Sequence, residues 1–273
     1  MNEITATANT PETIELRLTS AAYGGTTLGR LPDGRAVFVP FALPGERVLV
    51  RLREEKRGHA QAELVEVLEA AEERIPAPCP HFGLCGGCHY QHLAYPEQLK
   101  LKTAILGEQL SRLGGLSQPP VRPCVPSPKP FHYRNTVQFH LTAAGQLGFV
   151  QADSQAVFPV ERCLLPETAI NEVWPQLNFE DQPTIERIGL RLGAEDDLQI
   201  ILESDDLQPP EISVEGLPVS VAHLSPAGVL TLAGSPAVRM VIGGRSFQVS
   251  AGSFFQVNQA MAEAMVEHVL DLA

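Results

Sequence analysis

Arg-Val-Leu-Val-Arg-Leu (47–52) and Ala-Glu-Leu-Val-Glu-Val-Leu (62–68) alternate polar and apolar residues, the pattern of strands with one buried face. Working outward, Glu-Leu-Arg-Leu (15–18) and Ala-Val-Phe-Val-Pro (36–40) continue the theme of short strands. Gly24-Gly25, Pro32-Asp33-Gly34 and Pro44-Gly45 supply the turns between them. Four or five short strands within residues 12–70 predict a small closed barrel of the OB type. Arg51, Arg53, Lys56 and Arg57 gather near one hairpin of that barrel. Basic side chains there can follow a phosphate backbone or simply keep the surface soluble.

The chain has 273 residues, 44% of them hydrophobic, with 23 prolines and 22 glycines, enough for two or three small turn-rich domains. No apolar run reaches bilayer length, and Met1–Thr10 lacks the basic and apolar regions of a signal peptide. Five cysteines, an odd and clustered set, point to a reducing cytoplasm rather than a disulfide framework. The net charge of −12 argues against nucleic acid only if it is spread evenly, and it is not. Residues 151–215 carry all of it, whereas residues 91–140 are net +4. A basic face can therefore coexist with an acidic lobe.

The second informative stretch is Cys-Pro-His-Phe-Gly-Leu-Cys-Gly-Gly-Cys-His-Tyr-Gln-His (79–92), reached through the stiff linker Ile75-Pro76-Ala77-Pro78. Cys79, Cys85 and Cys88 on a glycine-rich loop read as soft-metal ligands, with Gly86 and Gly87 letting the backbone fold back so that sulfurs converge. Three thiolates leave a tetrahedral site or a cubane one ligand short. Cys163 is the better fourth donor than Cys124, because a strand end leading into a helix can bring it to a distant loop. A zinc site could use the same four, or three with His81, His89 or His92. The C-x5-C arm exceeds usual zinc spacing and also differs from the bacterial ferredoxin run, so [4Fe–4S] and zinc stay open on spacing alone.

Beyond the loop, Pro96–Leu113 reads as a helix stopped by Gly114-Gly115, with Lys100, Lys102 and Arg112 adding positive charge. Residues 117–130 are a proline-rich connector. A meander follows at 134–142, 145–151 and 156–160, then a short helix at 167–177 with Trp174 in its core. Further strands are expected at 184–193, 198–203, 217–223, 228–232, 238–242 and 245–250. A final helix spans Gln259–Leu270 with Asn258 as its N-cap.

These residues carry a family resemblance. Cys79-x5-Cys85-Gly-Gly-Cys88-x2-Gln91-His92, with Gln98 and Lys100, resembles the iron–sulfur segment of bacterial 23S ribosomal RNA (uracil-C5)-methyltransferases. Tyr23-Gly24-Gly25-x3-Gly29-Arg30, Val37-Phe38-Val39-Pro40 and Leu43-Pro44-Gly45-Glu46 resemble the TRAM domain, an OB-like RNA-binding module. Ser127-Pro128-x2-Phe131-x-Tyr133-Arg134-Asn135 and Cys163-Leu-Leu-Pro-x3-Ile170-Asn171 resemble the family's central domain. Ser253-Phe254-Phe255-Gln256-Val257-Asn258 is similar to the segment entering its S-adenosylmethionine domain.

The resemblance implies an α+β, mainly β chain in five parts. They are a disordered 1–11, a TRAM barrel at 12–70, an iron–sulfur loop and helix at 75–116, a β-rich central domain at 124–243, and at 244–273 the start of a truncated α/β Rossmann-like methyltransferase domain. It implies a [4Fe–4S] cluster on Cys79, Cys85, Cys88 and Cys163, and S-adenosylmethionine contacted by Gln256. Ribosomal RNA is the implied partner, with Arg51, Arg53, Lys56, Lys100, Arg134 and Phe254 as candidate contacts, Phe254 by stacking on a flipped base. The implied protein is a cytoplasmic monomer without membrane contact. Methylating C5 of uracil needs a nucleophilic cysteine and a base. In the family both lie downstream of the Phe-Gln-x-Asn segment, so they are expected beyond Ala273 and the fragment alone is expected to be inactive. The competing expectation is a non-catalytic RNA-binding protein with a structural [4Fe–4S] or zinc site.

Overall fold

The computed structural model describes residues 13–179, 184–214 and 216–273. The disorder expected for 1–11 lies outside them. The described chain divides into two units, one running to Gly83 and resuming at 88–126, the other made of 84–87 and 127–273.

In the first unit β1 (Thr13–Ala21), β2 (Thr26–Arg30), β3 (Ala36–Pro40), β4 (Arg47–Glu55) and β5 (His59–Glu69) close into a barrel. β1 pairs with both β2 and β4, and a parallel β3–β5 pairing completes the circle, so no edge is left open. The alternation at 47–52 does what it predicts: Val48 and Val50 point inward, fully buried with Leu18, Val37, Val39 and Ala60. Each of these valines and Leu18 contributes about 1.5–3 kcal/mol through burial. β2 was not foreseen, because Gly29 weakens the strand pattern of Thr-Thr-Leu-Gly-Arg. A Cβ at Gly29 would lie 3.0 Å from Leu18 Cδ2, so the glycine makes room for a core leucine.

The barrel is followed by the chain to Gly83 and, after Cys88, by α1 (Tyr95–Arg112), which carries Pro96 in its first turn. A latch ties residues 71–75 to the barrel. Glu46, with a fully buried side chain, accepts from the Leu43 and Ala71 amides at 2.8 and 3.2 Å and from Arg74 Nη2 at 2.8 Å. The Ile75 amide then donates to His92 O at 3.0 Å.

The second unit is built on β6 (Thr136–Leu141), β7 (Leu147–Val150), β8 (Val157–Pro159), β9 (Arg187–Leu192), β10 (Leu198–Glu203), β11 (Val219–Ser225) and β12 (Gly228–Ala233). They form one sheet in the order β12-β11-β10-β9-β6-β7-β8, antiparallel except between β10 and β11. α2 (Thr168–Val173) and Trp174 cover one face, where Phe139, Ile188, Leu190 and Leu202 are buried. β13 (Ala237–Ile242) and β14 (Arg245–Ser250) make a separate antiparallel pair, followed by α3 (Gln259–Leu272). The expected boundary at 243/244 falls in the two-glycine turn of this hairpin. Residues 244–273, expected to open a Rossmann-like α/β domain, supply β14 and α3.

Candidate nucleic-acid and cofactor sites

The cysteine loop is held by backbone pairing in its middle. The Gly86 amide donates to Val150 O at 3.1 Å and the Ala152 amide to Leu84 O at 2.8 Å, so residues 84–87 run alongside the end of β7. A Cβ at Gly86 would meet Val150 O at 3.3 Å. Gly86 therefore serves close approach, and the left-handed backbone of the loop belongs to Gly83, at φ 94°, rather than to Gly86 or Gly87. None of the five cysteines is in a disulfide, and all are half-buried. Cys79 and Cys88 belong to the first unit; Cys85 and Cys163 belong to the second and pack on its main core. Cys88 Sγ accepts from Gln91 Nε2 at 3.1 Å and Cys85 Sγ from the Gly87 amide at 3.4 Å. The Cys163 turn is pinned by its amide donating to Asn171 Oδ1 of α2 at 3.1 Å. Donation of N–H to sulfur is what stabilises thiolates around a cluster, so the donor chemistry fits one. Among the described residues no group of three or more His, Cys, Asp and Glu side chains is gathered as a metal site.

The other ligand candidates separate cleanly. Cys124 lies in the connector, its amide bonded to Thr103 Oγ1 at 2.9 Å. His92 is 2% exposed beneath Phe82, ring centroids 5.0 Å apart. Burial, aided by the Arg74 guanidinium, pushes its pKa down to about 4, so it sits as a neutral core residue at pH 7. His89 lies with its ring against Gly25.

In the second unit, the turn from Ser250 to Asn258 is braced on its backbone. Arg191 donates from Nη1 to Ser250 O at 2.7 Å and from Nη2 to Ser253 O at 2.9 Å. Asn135 donates through Nδ2 to Gln256 O at 3.0 Å and through its amide to Val257 O at 2.9 Å. Asn258 caps α3 by accepting from the Met261 amide at 3.2 Å, and it reaches Ser127 Oγ at 3.1 Å. Phe255 packs onto the β13–β14 core, whereas Phe254 is 82% exposed and Gln256 is exposed beside it. The backbone is fixed, and these two side chains face outward. Arg134 lies in the same neighbourhood, its backbone bridged to both Pro166 and Asn258.

Residues 10–65 match the TRAM domain family. Over 95% of the chain, the sequence is 34% identical to an uncharacterized RNA methyltransferase of Aquifex aeolicus and 30% identical to one of Streptomyces avermitilis. The chain is thus similar to proteins named RNA methyltransferases along most of its own length, with a TRAM match at its N-terminal end. The chain spans 64% and 63% of the length of those two proteins. The fold is also similar to the crystal structure of the Pyrococcus abyssi tRNA (uracil-54, C5)-methyltransferase in complex with S-adenosyl-L-homocysteine. That likeness has a TM-score of 0.66 at 20% identity and covers 94% of this chain and 65% of that one.

Basic side chains of the barrel hairpin are paired with carboxylates. Arg51 and Arg53 both pair with Glu63, and Lys56 pairs with Glu54 at 3.1 Å. The carboxylates come from the same two strands, so the hairpin is charge-balanced. Lys100 is likewise paired with Glu97 at 2.8 Å, although three-quarters exposed. Sequence reasoning missed Arg191 as the brace of the 250–253 turn. Its place between two core leucines in Ile-Gly-Leu-Arg-Leu (188–192) is an ordinary alternating polar position, so no local signal marked it.

Proposed function

We propose that this chain is the RNA-handling part of an S-adenosylmethionine-dependent RNA (uracil-C5)-methyltransferase acting on ribosomal RNA. The observation that carries the reading is the braced Ser253–Asn258 turn, set in a fold shared along nearly its whole length with proteins named RNA methyltransferases. Arg191 and Asn135 hold its carbonyls, so Phe254 and Gln256 meet their ligands without first having to be ordered. Gln256 contacts the cofactor and Phe254 stacks on the extruded base. S-adenosylmethionine supplies the methyl group. Four cysteines, Cys79, Cys85, Cys88 and Cys163, hold a [4Fe–4S] cluster, and none of them is the methylating nucleophile. The ribosomal target rests on the motif resemblance; the solved neighbour acts on tRNA.

The test is competition binding with the purified chain, using 23S ribosomal RNA transcripts against tRNA. Ribosomal RNA should bind more tightly, with log K falling linearly as log salt rises. Tighter binding of tRNA would reassign the substrate, and no affinity for either would end the RNA reading. In parallel, anaerobically purified protein should contain about four irons per chain. Cys163→Ser should lose them and Cys124→Ser should not. One zinc and no iron would replace the cluster with a structural zinc site.

A further inference from the structure

The first unit contains a groove of about 610 Å³ that includes none of the five cysteines and no residue of the 250–258 turn, although His89 and Tyr90, which follow Cys88, form part of its wall. Its walls are aromatic. Tyr23 stands 80% exposed at the tip of the β1–β2 turn, so its ring is open to a ligand. His89 and Tyr90 face it as an edge-to-face pair with ring centroids 6.1 Å apart.

These walls are held in place. A Cβ at Gly25 would lie 2.4 Å from His89 Cγ, so only glycine lets the imidazole lie on the turn backbone, and φ of 88° favours glycine as well. Tyr90 is hydrogen-bonded to the Gly25 backbone. The floor is one face of α1. Lys102, Ile105, Leu106 and Gln109 recur at helical spacing, with Ile105 buried and Leu106 still 51% exposed. The other cations of this helix are paired, Lys100 with Glu97 and Arg112 with Glu108, whereas Lys102 has no ion-pair partner among the described residues.

Fixed aromatic faces, an apolar floor and one unneutralised cation at the rim match a nucleotide better than an apolar peptide, which has no use for the cation. Barrels of this type bind single strands by stacking bases on aromatic rings beside basic groups. We propose that this groove is a base-stacking subsite. It takes one unstacked nucleobase of an RNA strand between Tyr23 and the His89–Tyr90 pair, with Lys102 on the adjoining phosphate. The subsite rests on the RNA-binding reading above and adds a contact carried by the first unit alone.

The test uses the whole chain and a single-stranded oligoribonucleotide of about twelve residues, within the span such barrels cover. One 2-aminopurine is walked along the strand as a fluorescent stacking reporter. At one register the wild type should quench it. Tyr23→Ala should abolish that quench and weaken binding roughly tenfold, the scale of one lost base–aromatic stack. Tyr23→Phe should restore both. Lys102→Gln should lower the slope of log K against log salt by about one. Because both side chains are exposed, the variants should keep the wild-type circular dichroism. If the wild type binds but Tyr23→Ala stays within twofold and still quenches, the subsite is refuted and the RNA reading stands. An unchanged salt slope in Lys102→Gln removes the phosphate contact, and with it the argument for a nucleotide. If the wild type binds no RNA, the subsite and the RNA reading fall together.

Discussion

Replacing Glu46 by alanine should loosen the attachment of residues 71–75 to the barrel, with a size that follows from the burial of the pair. The Glu46 side chain is 0% exposed and that of Arg74 only 21%. Removing the carboxylate strands the guanidinium and leaves the Leu43 and Ala71 amides without their acceptor. Breaking one side of a buried ion pair costs about 3–5 kcal/mol. At 1.4 kcal/mol per decade, local opening should become at least about a hundredfold more frequent.

Hydrogen exchange read by mass spectrometry on peptides spanning 40–50 and 68–76 measures this directly, through the Leu43 and Ala71 amides. Arg74→Met should loosen the same peptides, and Glu46→Leu combined with Arg74→Met should recover much of the loss, since an apolar pair removes both buried charges. The pH dependence has a definite sign. Burial pushes the Glu46 pKa up, but the Arg74 guanidinium and the two amides outweigh it, leaving it below the ordinary 4.5. The stabilisation is therefore complete above 4.5 and is lost as pH falls through the lower folded value. Protection in Glu46→Ala within twofold of the wild type at pH 7 would refute the latch.

Arg191→Ala removes two charged hydrogen bonds worth about 1.5–3 kcal/mol each, and chymotrypsin should then cut after Phe254 much faster than in the wild type. Gly148→Ala places a Cβ 2.2 Å from Phe158 O and should split β7 from β8. It should cost about 2–4 kcal/mol and redden the emission of Trp174, whose ring meets Phe139 at 4.6 Å between centroids. Asn258→Ala should lower the stability of α3 by about 1 kcal/mol through the lost cap, seen as faster amide exchange at 259–263.

The strands were legible because their signal is local. β10 and β14 coincide with the expected 198–203 and 245–250, and α1 is displaced by one residue at each end from the expected 96–113. Trp174 is in the core as expected, 2% exposed with its ring edge-on to Phe139. What the sequence hid is pairing between distant segments. Nothing local tells Gly86 from Gly83, yet one lies against a strand and the other takes a left-handed turn. Charge pairing was hidden for the same reason. Arg51 and Arg53 look cationic until the register of β4 and β5 brings Glu63 opposite Arg51. The 250–258 turn was legible through its motif, whereas its brace Arg191 lies about 60 residues away and occupies an ordinary alternating polar position in its strand, so nothing local marks it.

Glu63 therefore acts as the common counter-ion of two arginines, with Arg51 facing it across the strand pair and Arg53 reaching it from beyond. A polyanion arriving at this hairpin has to compete with an intramolecular carboxylate that is always present at close range. Such pairing would disfavour weak, non-specific polyanions relative to a ligand able to displace Glu63 from both guanidinium groups at once. It also makes the site tunable by a single codon: a neutral residue at 63 would release two arginines while changing the net charge by one.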